Sequence, residues 1–394
     1  MNVFDRAIAL HEELKGKLRV ENKIDIQSAE DLSLAYSPGV AAPCIKIFEN
    51  PEKVYDYTIK GNTVAIVSDG SAVLGLGNIG ASASIPVMEG KAMLFKRFAG
   101  LNGFPICLNT QNSEEIISIV KNIAPVFGGI NLEDISSPRC FEIEERLQDI
   151  GIPVFHDDQH GTAIVVLAAI MNFCRLTGRR MEDLRVVVNG AGAAGIAISK
   201  YIGKKDLETP NQQIVKDMIV CDSVGIINKS REDLNAVKKD LLNYTNHENF
   251  SGNIFDAIRN ADVFIGVSKE DLLHKEDIRT MAKDPLILAL ANPVPEILPE
   301  EAYQGGALVV GTGRSDFPNQ VNNVLAFPGI FLGAIRARAP RITLAMKFAA
   351  AEAIANGIKD LSRDKIIPPV MDESIAPQVA EAVYNIHMKS LQLQ

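Results

Sequence analysis

The stretch RVVVNGAGAAGIAISKYI, residues 185–202, decides the fold class of this chain. Its Val-rich run predicts a strand buried on both faces, GAGAAG (190–195) predicts a tight turn, and IAISKYI (196–202) begins a helix. In a dinucleotide-binding unit this order lets the backbone approach a pyrophosphate at the N-terminus of the helix. We therefore predict a Rossmann-type nucleotide-binding domain around this turn.

The following strand carries the acidic residue that such a unit uses. DMIVCD (217–222) ends in Asp222, whose carboxylate is placed to accept from the hydroxyl pair of an adenosine ribose. Asp222 comes later after the turn than usual, and the polar insertion KKDLETPNQQ (204–213) accounts for the excess.

The charge of Asp222 also bears on the choice of cofactor. A carboxylate at this position repels a 2′-phosphate, residues 223–225 bring no cation, and Lys229 lies seven residues beyond Asp222. On charge alone we predict NAD over NADP.

A second stretch, GLGNIG (75–80), has the same glycine spacing without the same context. SDGSAV separates it from the run TVAIVS (63–68), and no second strand follows at the right distance. It is interpreted as a glycine-rich loop that allows close backbone approach and forms the floor of a substrate pocket.

Apolar runs alternate with helical patterns in both halves of the chain, which indicates an α/β fold with parallel sheets. Two domains are predicted: an N-terminal α/β substrate and metal domain (1–159), and a C-terminal Rossmann-type, parallel-sheet NAD(P)-binding domain with added helices (160–394). A helix over 161–177 joins them. Two further helices are predicted over 113–123 and 138–150, with caps at Ser113 and Ser137. Strands are predicted at 63–68, 104–109, 125–130, 152–156, 184–189, 217–222, 262–268, 286–290 and 307–311.

Composition excludes several classes of function. The 394 residues carry a net charge of −9, which argues against nucleic acid as a partner. The five cysteines are scattered and never arranged as C-x-x-C, as expected of reduced thiols. The charged N-terminus does not fit a signal peptide, and the apolar run 162–171 is too short to cross a bilayer. We expect a cytoplasmic protein without a membrane partner.

Acidic pairs follow two of the predicted strands. Glu133 and Asp134 come after strand 125–130, while Asp157 and Asp158 come directly after strand 152–156. Because a helix connects these strands, the four carboxylates should gather at one sheet edge, where they repel unless a cation lies among them. Oxygen ligands without cysteine favour Mg²⁺ or Mn²⁺. The alternative is that these residues only cap the following helices.

The blocks AYSPGVA, DGSAVLGLGNIG, PVMEGKAMLFK, NLEDI, FHDDQHGTA, NGAGAAG, ANPVPE and QVNNVLAFPG follow in the order found in malic enzymes. The chain resembles the compact bacterial type, without the acyltransferase-like C-terminal domain of larger relatives. Taken alone, Tyr36 would be a packing residue in a turn and Lys91 a snorkelling surface lysine. The resemblance reverses both interpretations.

The resemblance implies oxidative decarboxylation of L-malate to pyruvate and CO₂ through oxaloacetate, with reduction of NAD or NADP, by a homodimer. It implies Tyr36 as general acid and Lys91 as general base, the pKa of Lys91 being lowered by burial and an adjacent cation. The other roles it implies are metal ligands Glu133, Asp134 and Asp158, with Asp157 beside the lysine; a cofactor site at Gly190, Gly192, Ala193, Ala194, Gly195 and Asp222; and substrate contacts from Lys91, Asn292 and Asn323.

One position departs from the family pattern. Longer malic enzymes place an arginine shortly after the DG of the glycine-rich loop, where it binds a substrate carboxylate, and here the stretch is Ser71-Ala72. Two other functions remain as alternatives. One is a metal-dependent oxaloacetate decarboxylase on the same scaffold, and the other is a nucleotide-sensing protein without catalysis.

Overall fold

The structure is a computed structural model that describes residues 2–73, 75–203 and 214–393. The polar insertion predicted at 204–213 lies outside the described residues. Within them, the chain folds around two parallel-stranded sheets, one in each half, as the sequence predicts.

The first sheet has four parallel strands in the order β2-β1-β3-β4. They are β1 (Thr63–Ser68), β2 (Asn102–Cys107), β3 (Gly129–Leu132) and β4 (Val154–His156). Every residue of β1, β3 and β4 is buried, as expected of a parallel sheet covered on both faces. Helices of this half are α1 (Val3–Leu14), α2 (Ala29–Ala35), α3 (Ala41–Glu49), α4 (Val54–Tyr57), α5 (Gly80–Ala99), α6 (Ser113–Ile123) and α7 (Arg139–Arg146), with 3₁₀ turns at Pro51–Lys53, Ile59–Asn62 and Ala124–Val126.

The second sheet has the order β10-β9-β8-β5-β6-β7, in which β7 alone among the described strands runs antiparallel. Its strands are β5 (Arg185–Asn189), β6 (Asp217–Asp222), β7 (Gly225–Ile226), β8 (Val263–Gly266), β9 (Leu286–Ala289) and β10 (Val309–Thr312). The helices are α8 (Asp157–Thr177), α9 (Ala193–Gly203), α10 (Ala236–Leu241), α11 (Ile254–Ala257), α12 (Lys275–Ile278), α13 (Pro299–Gln304), α14 (Phe327–Arg336), α15 (Leu344–Asn356) and α16 (Ile375–Gln392), with 3₁₀ turns at Met181–Asp183 and Asn323–Leu325.

Three local predictions are corrected by the structure. The strand predicted from residue 125 begins only at Gly129, because the Pro-containing segment Ala124–Val126 forms a 3₁₀ turn. The cap of α6 is Asn112, whose side chain accepts from two backbone amides, so that Ser113 is already helical. Helix α7 is shorter than predicted, and it follows Pro138 with no side-chain cap from Ser137.

Helix α8 is the central packing element of the molecule. Its length and composition would allow it to cross a membrane, but 67% of its most apolar 18-residue segment is buried inside the protein. Its residues from Ala163 to Ile170 are all inaccessible to solvent, in a core that also includes β5 and α14. We therefore assign α8 as a core helix, with the start of its first turn at the edge of the first sheet.

The last helices return to the first sheet. The ring of Phe327 in α14 lies 4.7 Å from that of Phe95 in α5, and the ring of Phe331 lies 5.4 Å from Phe95 and 5.9 Å from Phe155. Helix α16 in turn packs along α14. The C-terminal segment thus helps to bury the face of α5 that carries Lys91.

Candidate active site

The acidic residues that follow β3 and β4 meet at one edge of the first sheet. Glu133 and Asp134 follow β3 directly, Asp157 and Asp158 form the start of α8, and the two strands are adjacent. One carboxylate oxygen from each of Glu133, Asp134 and Asp158 lies within 4.8 Å of the other two. The all-oxygen donor set fits a hard divalent cation such as Mg²⁺ or Mn²⁺.

Asp134 has a backbone conformation that non-glycine residues rarely adopt, with φ of 54°. Its amide donates to Oδ2 of Asp158 over 2.8 Å, and its carbonyl accepts from the amide of Ala72 over 2.9 Å. Such conformations persist where surrounding contacts enforce them, and they cluster at functional sites. The backbone of Asp134 therefore links two predicted ligands to the glycine-rich loop.

Lys91 lies inside this group and not on the surface. Its side chain is 7% exposed, its Nζ is 2.8 Å from Oε1 of Glu133, and it also donates to Asp157. The Phe327 ring covers it at 4.2 Å from Nζ to the ring centroid. Lys91 is therefore a buried ammonium held between two carboxylates.

The pKa values at this edge follow from burial and close charge. Burial disfavours the charged form of Lys91, but Asp157 and Glu133 outweigh it and raise the lysine pKa. Burial raises the pKa of Asp157 to about 7, against the opposing effect of Lys91, and it also raises the pKa of Glu133. The lowered lysine pKa expected from the sequence included a cation beside the lysine; the carboxylates that contact the ammonium act in the opposite direction, while burial acts in the expected one.

The structure does not bring Tyr36 to Lys91. Tyr36 follows α2, its side chain is 67% exposed, and its hydroxyl makes no hydrogen bond to any residue that the structure describes. The contacts found for Lys91 are with Glu133, Asp157 and Phe327.

The GLGNIG stretch is a loop that reaches the second domain. It does not form a nucleotide turn: β1 ends at Ser68, and α5 begins only at Gly80. A Cβ on Gly75, where φ is 74°, would lie 3.1 Å from the carbonyl oxygen of Asn292. Asn292 follows β9, so this contact places a predicted substrate residue of one domain against the glycine-rich loop of the other.

Asn323, the second predicted substrate residue, lies beside the first turn of α8. A Cβ added to Gly161 of α8 would overlap the Asp157 carboxylate and lie 2.9 Å from Cβ of Asn323. The absence of a side chain at residue 161 therefore lets Asn323 approach the turn that carries Asp157.

An arginine does stand at the loop where longer family members have one, although it comes from α7. The Arg139 guanidinium donates to Asp69 over 2.6 Å and to Ser71 Oγ over 2.8 Å, and it also bonds the carbonyl of Gln111. Sequence reasoning missed Arg139 because it is remote in sequence from Ser71. Its contacts fix the conformation of the loop.

The nucleotide turn has the geometry that its glycines suggest. Gly190 has φ of 121°, and a Cβ there would lie 2.6 Å from the carbonyl oxygen of Val267. A Cβ on Gly195 would overlap the Gly190 carbonyl, whereas a Cβ on Gly192 would meet nothing within 4 Å. Gly192 therefore leaves the open space that a pyrophosphate needs at the start of α9, where Ala193 and Ala194 form the first turn.

Asp222 lies in a cavity of about 410 Å³ beside this turn, lined also by Gly190, Ser223, Lys238 and Lys269. Arg231 binds both oxygens of Asp222, over 2.8 and 3.0 Å, and Lys238 lies 2.6 Å away. Burial alone would raise the pKa of Asp222, but these two cations hold it well below its usual range. The sequence expectation that named only Lys229 is corrected: the cations are Arg231 and Lys238, brought back by the segment after β7.

A buried hydrogen-bonded chain joins Glu144, His160 and Tyr201, and sequence reasoning did not single it out. Burial lowers the pKa of His160 to about 4, although Glu144 opposes that effect. Burial alone would raise the pKa of Glu144, but His160, Lys347 and His156 lower it to about 2. The HDDQHG stretch was the available signal, since it flanks two aspartates with two histidines.

Family models match most of the chain. The malic enzyme N-terminal domain matches residues 15–148, and the malic enzyme NAD binding domain matches residues 159–388.

Individual proteins are similar over nearly the whole chain. A bifunctional malic/malolactic enzyme of Bacillus subtilis is 54% identical over 99% of this chain and 94% of its own length. The NAD-dependent malic enzyme of Geobacillus stearothermophilus is 51% identical over 97% of this chain and 78% of its own. The crystal structure of NAD-dependent malic enzyme from Thermotoga maritima superposes with a TM-score of 0.91 at 49% identity, covering 96% and 98% of the two chains. Other similar proteins are named NADP-dependent malic enzymes.

Proposed function

The chain belongs to the malic enzyme family, and on that premise we propose that it converts L-malate to pyruvate and CO₂ with reduction of NAD(P) and with the help of a divalent metal ion. The observation that carries the proposal is the meeting of Glu133, Asp134 and Asp158 beside the buried Lys91. The open turn at Gly192 supplies the place for the cofactor.

The residues divide the chemistry among them. A cation held by Glu133, Asp134 and Asp158 would stabilise negative charge on the substrate oxygens as a Lewis acid. In its neutral form, which a cation bound by the neighbouring carboxylates would favour, Lys91 is positioned to take the proton of the C2 hydroxyl. Its contacts with Asp157 and Phe327 fix its direction. Tyr36 supplies the proton to C3 after decarboxylation. Asn292 and Asn323 hold the substrate between the two domains.

The assembly proposed is a homodimer in which a second copy covers the N-terminal helices. No residue of α1, α2 or α3 is buried, and apolar side chains there are open to solvent, among them Phe4 (75% exposed), Leu34 (72%) and Phe48 (89%). An apolar surface of this kind marks an interaction site. Tyr36 lies within this surface, and we propose that in the dimer each Tyr36 serves the Lys91 of the other copy.

NAD is proposed as the preferred cofactor, by a small margin. Asp222 ends β6, where a carboxylate accepts from the adenosine ribose and disfavours a 2′-phosphate. Arg231 and Lys238 compensate its charge, so the preference rests on hydrogen bonding more than on repulsion. Similar proteins of both cofactor types fit a narrow margin.

A second product is suggested by the name of one relative. The Bacillus subtilis protein is called a bifunctional malic/malolactic enzyme. We propose lactate as a second product of this chain: a nicotinamide cofactor held at the nucleotide turn would supply the hydride that converts pyruvate to lactate. The oxygen-ligand site, Lys91 and the nucleotide turn serve both outcomes.

A product-resolved assay tests these proposals. Purified protein is incubated with L-malate and Mn²⁺, with NAD, with NADP or without nucleotide, and NAD(P)H, pyruvate, lactate and oxaloacetate are measured. We expect pyruvate and NAD(P)H in equal amounts only when nucleotide is present. Decarboxylation of added oxaloacetate with no oxidation of malate would instead identify an oxaloacetate decarboxylase.

A further inference from the structure

Glu144 holds both ends of the turn that carries Asp157 and Asp158. Its Oε1 and Oε2 lie 2.8 and 2.9 Å from Nε2 of His160, and Oε1 also accepts from the backbone amide of His156 over 3.2 Å. His156 and His160 flank Asp157 and Asp158 in the sequence. Glu144, from α7, therefore fixes the first turn of α8.

The opposite side of the His160 ring faces α9, the helix that follows the nucleotide turn. Nδ1 of His160 lies 3.0 Å from the hydroxyl of Tyr201, which stands on α9 and is 3% exposed. A carboxylate only accepts, so Nε2 donates to Glu144, and in the neutral ring Nδ1 accepts from the tyrosine hydroxyl. Phe348 stacks on the Tyr201 ring at 6.2 Å between centroids, which restricts its movement.

The two helices joined by this bond each begin at one half of the site. Helix α8 begins at Asp157, beside the predicted metal ligands, and α9 begins at Ala193 in the nucleotide turn. Hydride transfer requires C2 of malate and the nicotinamide at near-contact distance, and a misplacement of about 1 Å costs roughly a hundredfold in rate. Hydride transfer should therefore be the step most sensitive to the relative position of α8 and α9.

We propose that Tyr201 is a positioning residue for hydride transfer, acting through His160 to hold the cofactor helix in register with the malate site. The inference rests on the proposed malate oxidation and adds to it a residue outside the substrate and cofactor contacts. Decarboxylation of oxaloacetate involves no nicotinamide, so it should not depend on this register.

The test compares two reactions in one preparation of Tyr201→Phe, which loses only the hydroxyl. We expect malate oxidation with saturating NAD and Mn²⁺ to fall roughly tenfold to a hundredfold, while nucleotide-free oxaloacetate decarboxylation stays within about twofold. The primary isotope effect with 2-deuterated malate should rise, since hydride transfer becomes more rate-limiting. The ratio of the two rates is independent of how much protein is folded.

Tyr244→Phe is the matched control, because Tyr244 is also buried and its ring packs on Gly203 at the other end of α9. It should leave both rates unchanged. The inference is overturned if Tyr201→Phe lowers both reactions equally, or lowers neither. A wild-type protein that decarboxylates oxaloacetate without oxidising malate would instead refute the proposed function, which the same experiment shows separately.

Discussion

Nζ of Lys91 lies 2.8 Å from Oε1 of Glu133, so the proposed base touches one of the proposed metal ligands. Its ammonium compensates part of the negative charge that the acidic residues bring to this sheet edge. Substitutions that alter the charge of this acidic cluster should therefore change turnover and the stability of the fold by different amounts.

Asp158→Asn should abolish metal-dependent turnover without unfolding the protein. The change keeps the volume of the side chain but removes one of three converging carboxylates, so Mn²⁺-dependent turnover should fall by roughly a hundredfold or more. Without metal, the melting temperature should stay the same or rise, because repulsion between carboxylates is relieved. The rise in melting temperature on adding Mn²⁺ should disappear. Near-normal activity of Asp158→Asn would contradict the assignment of Asp158 as a metal ligand.

Mixing two inactive variants should restore activity if Tyr36 serves the partner subunit. We expect Tyr36→Phe and Lys91→Ala each to be inactive as homodimers, whereas a mixed dimer would have one site with both wild-type residues. Random exchange of subunits should then recover about a quarter of wild-type activity. Equilibrated mixtures are assayed against each variant alone. No recovery, with subunit exchange verified by mass, would place Tyr36 in the site of its own chain.

Asp222→Ala should shift cofactor selectivity toward NADP. The change leaves Arg231 and Lys238 without their shared carboxylate beside the cavity, where they would attract a 2′-phosphate. We expect kcat/KM for NADP to rise about tenfold relative to NAD. Asp233→Ala is the control, because Asp233 also pairs with Arg231 but is half exposed. A ratio that moves equally in both variants would contradict the role given to Asp222.

Glu144→Gln should change how stability depends on acidity. The pKa of Glu144 is about 2 in the folded protein, below its ordinary value of 4.5. The ionised group therefore stabilises the fold above pH 4.5, and this contribution is lost as the pH falls from 4.5 toward 2. By urea unfolding, wild type should exceed the variant by on the order of 1–3 kcal/mol near pH 6, and the gap should shrink in acid.

The control for that experiment lies on the same helix. Glu142 is mostly exposed and pairs with Arg146 one turn away, so Glu142→Gln should change stability little. A difference between wild type and Glu144→Gln that stays constant from pH 6 to pH 3 would show that the Glu144 carboxylate is not held as described.

The regular part of the fold could be predicted from the sequence because its signals are local. The nine predicted strands all lie at strands of the two sheets, and the apolar runs of β1 and β6 give their bounds correctly. The two-residue strand β7 was missed, since a hairpin strand of this length has no periodicity. The start of β3 was misplaced because apolar residues also form the preceding 3₁₀ turn.

The sequence predicted which residues lie close together where those residues directly follow strands. It did not predict contacts made by residues that are remote in the sequence. Glu133 and Asp158 follow parallel neighbouring strands, so topology alone brings them together. Arg231 and Lys238 reach Asp222 only through a chain reversal after β7, and Tyr201 on α9 meets His160 on α8 across a sequence separation of 41 residues. A local sequence pattern cannot predict contacts between residues that are so far apart in the chain. The exposure of Tyr36 likewise depends on how the N-terminal helices pack.

The return of α14 to α5 sets an order for the biosynthesis of this protein. Phe95 and Phe155 belong to the first half of the chain, yet Phe327 and Phe331, translated near the end, cover them. While the ribosome is still making the second sheet, the aromatic face of α5 stands uncovered and is open to aggregation. This face is covered only after α14 leaves the exit tunnel, and until then we expect the nascent chain to expose it.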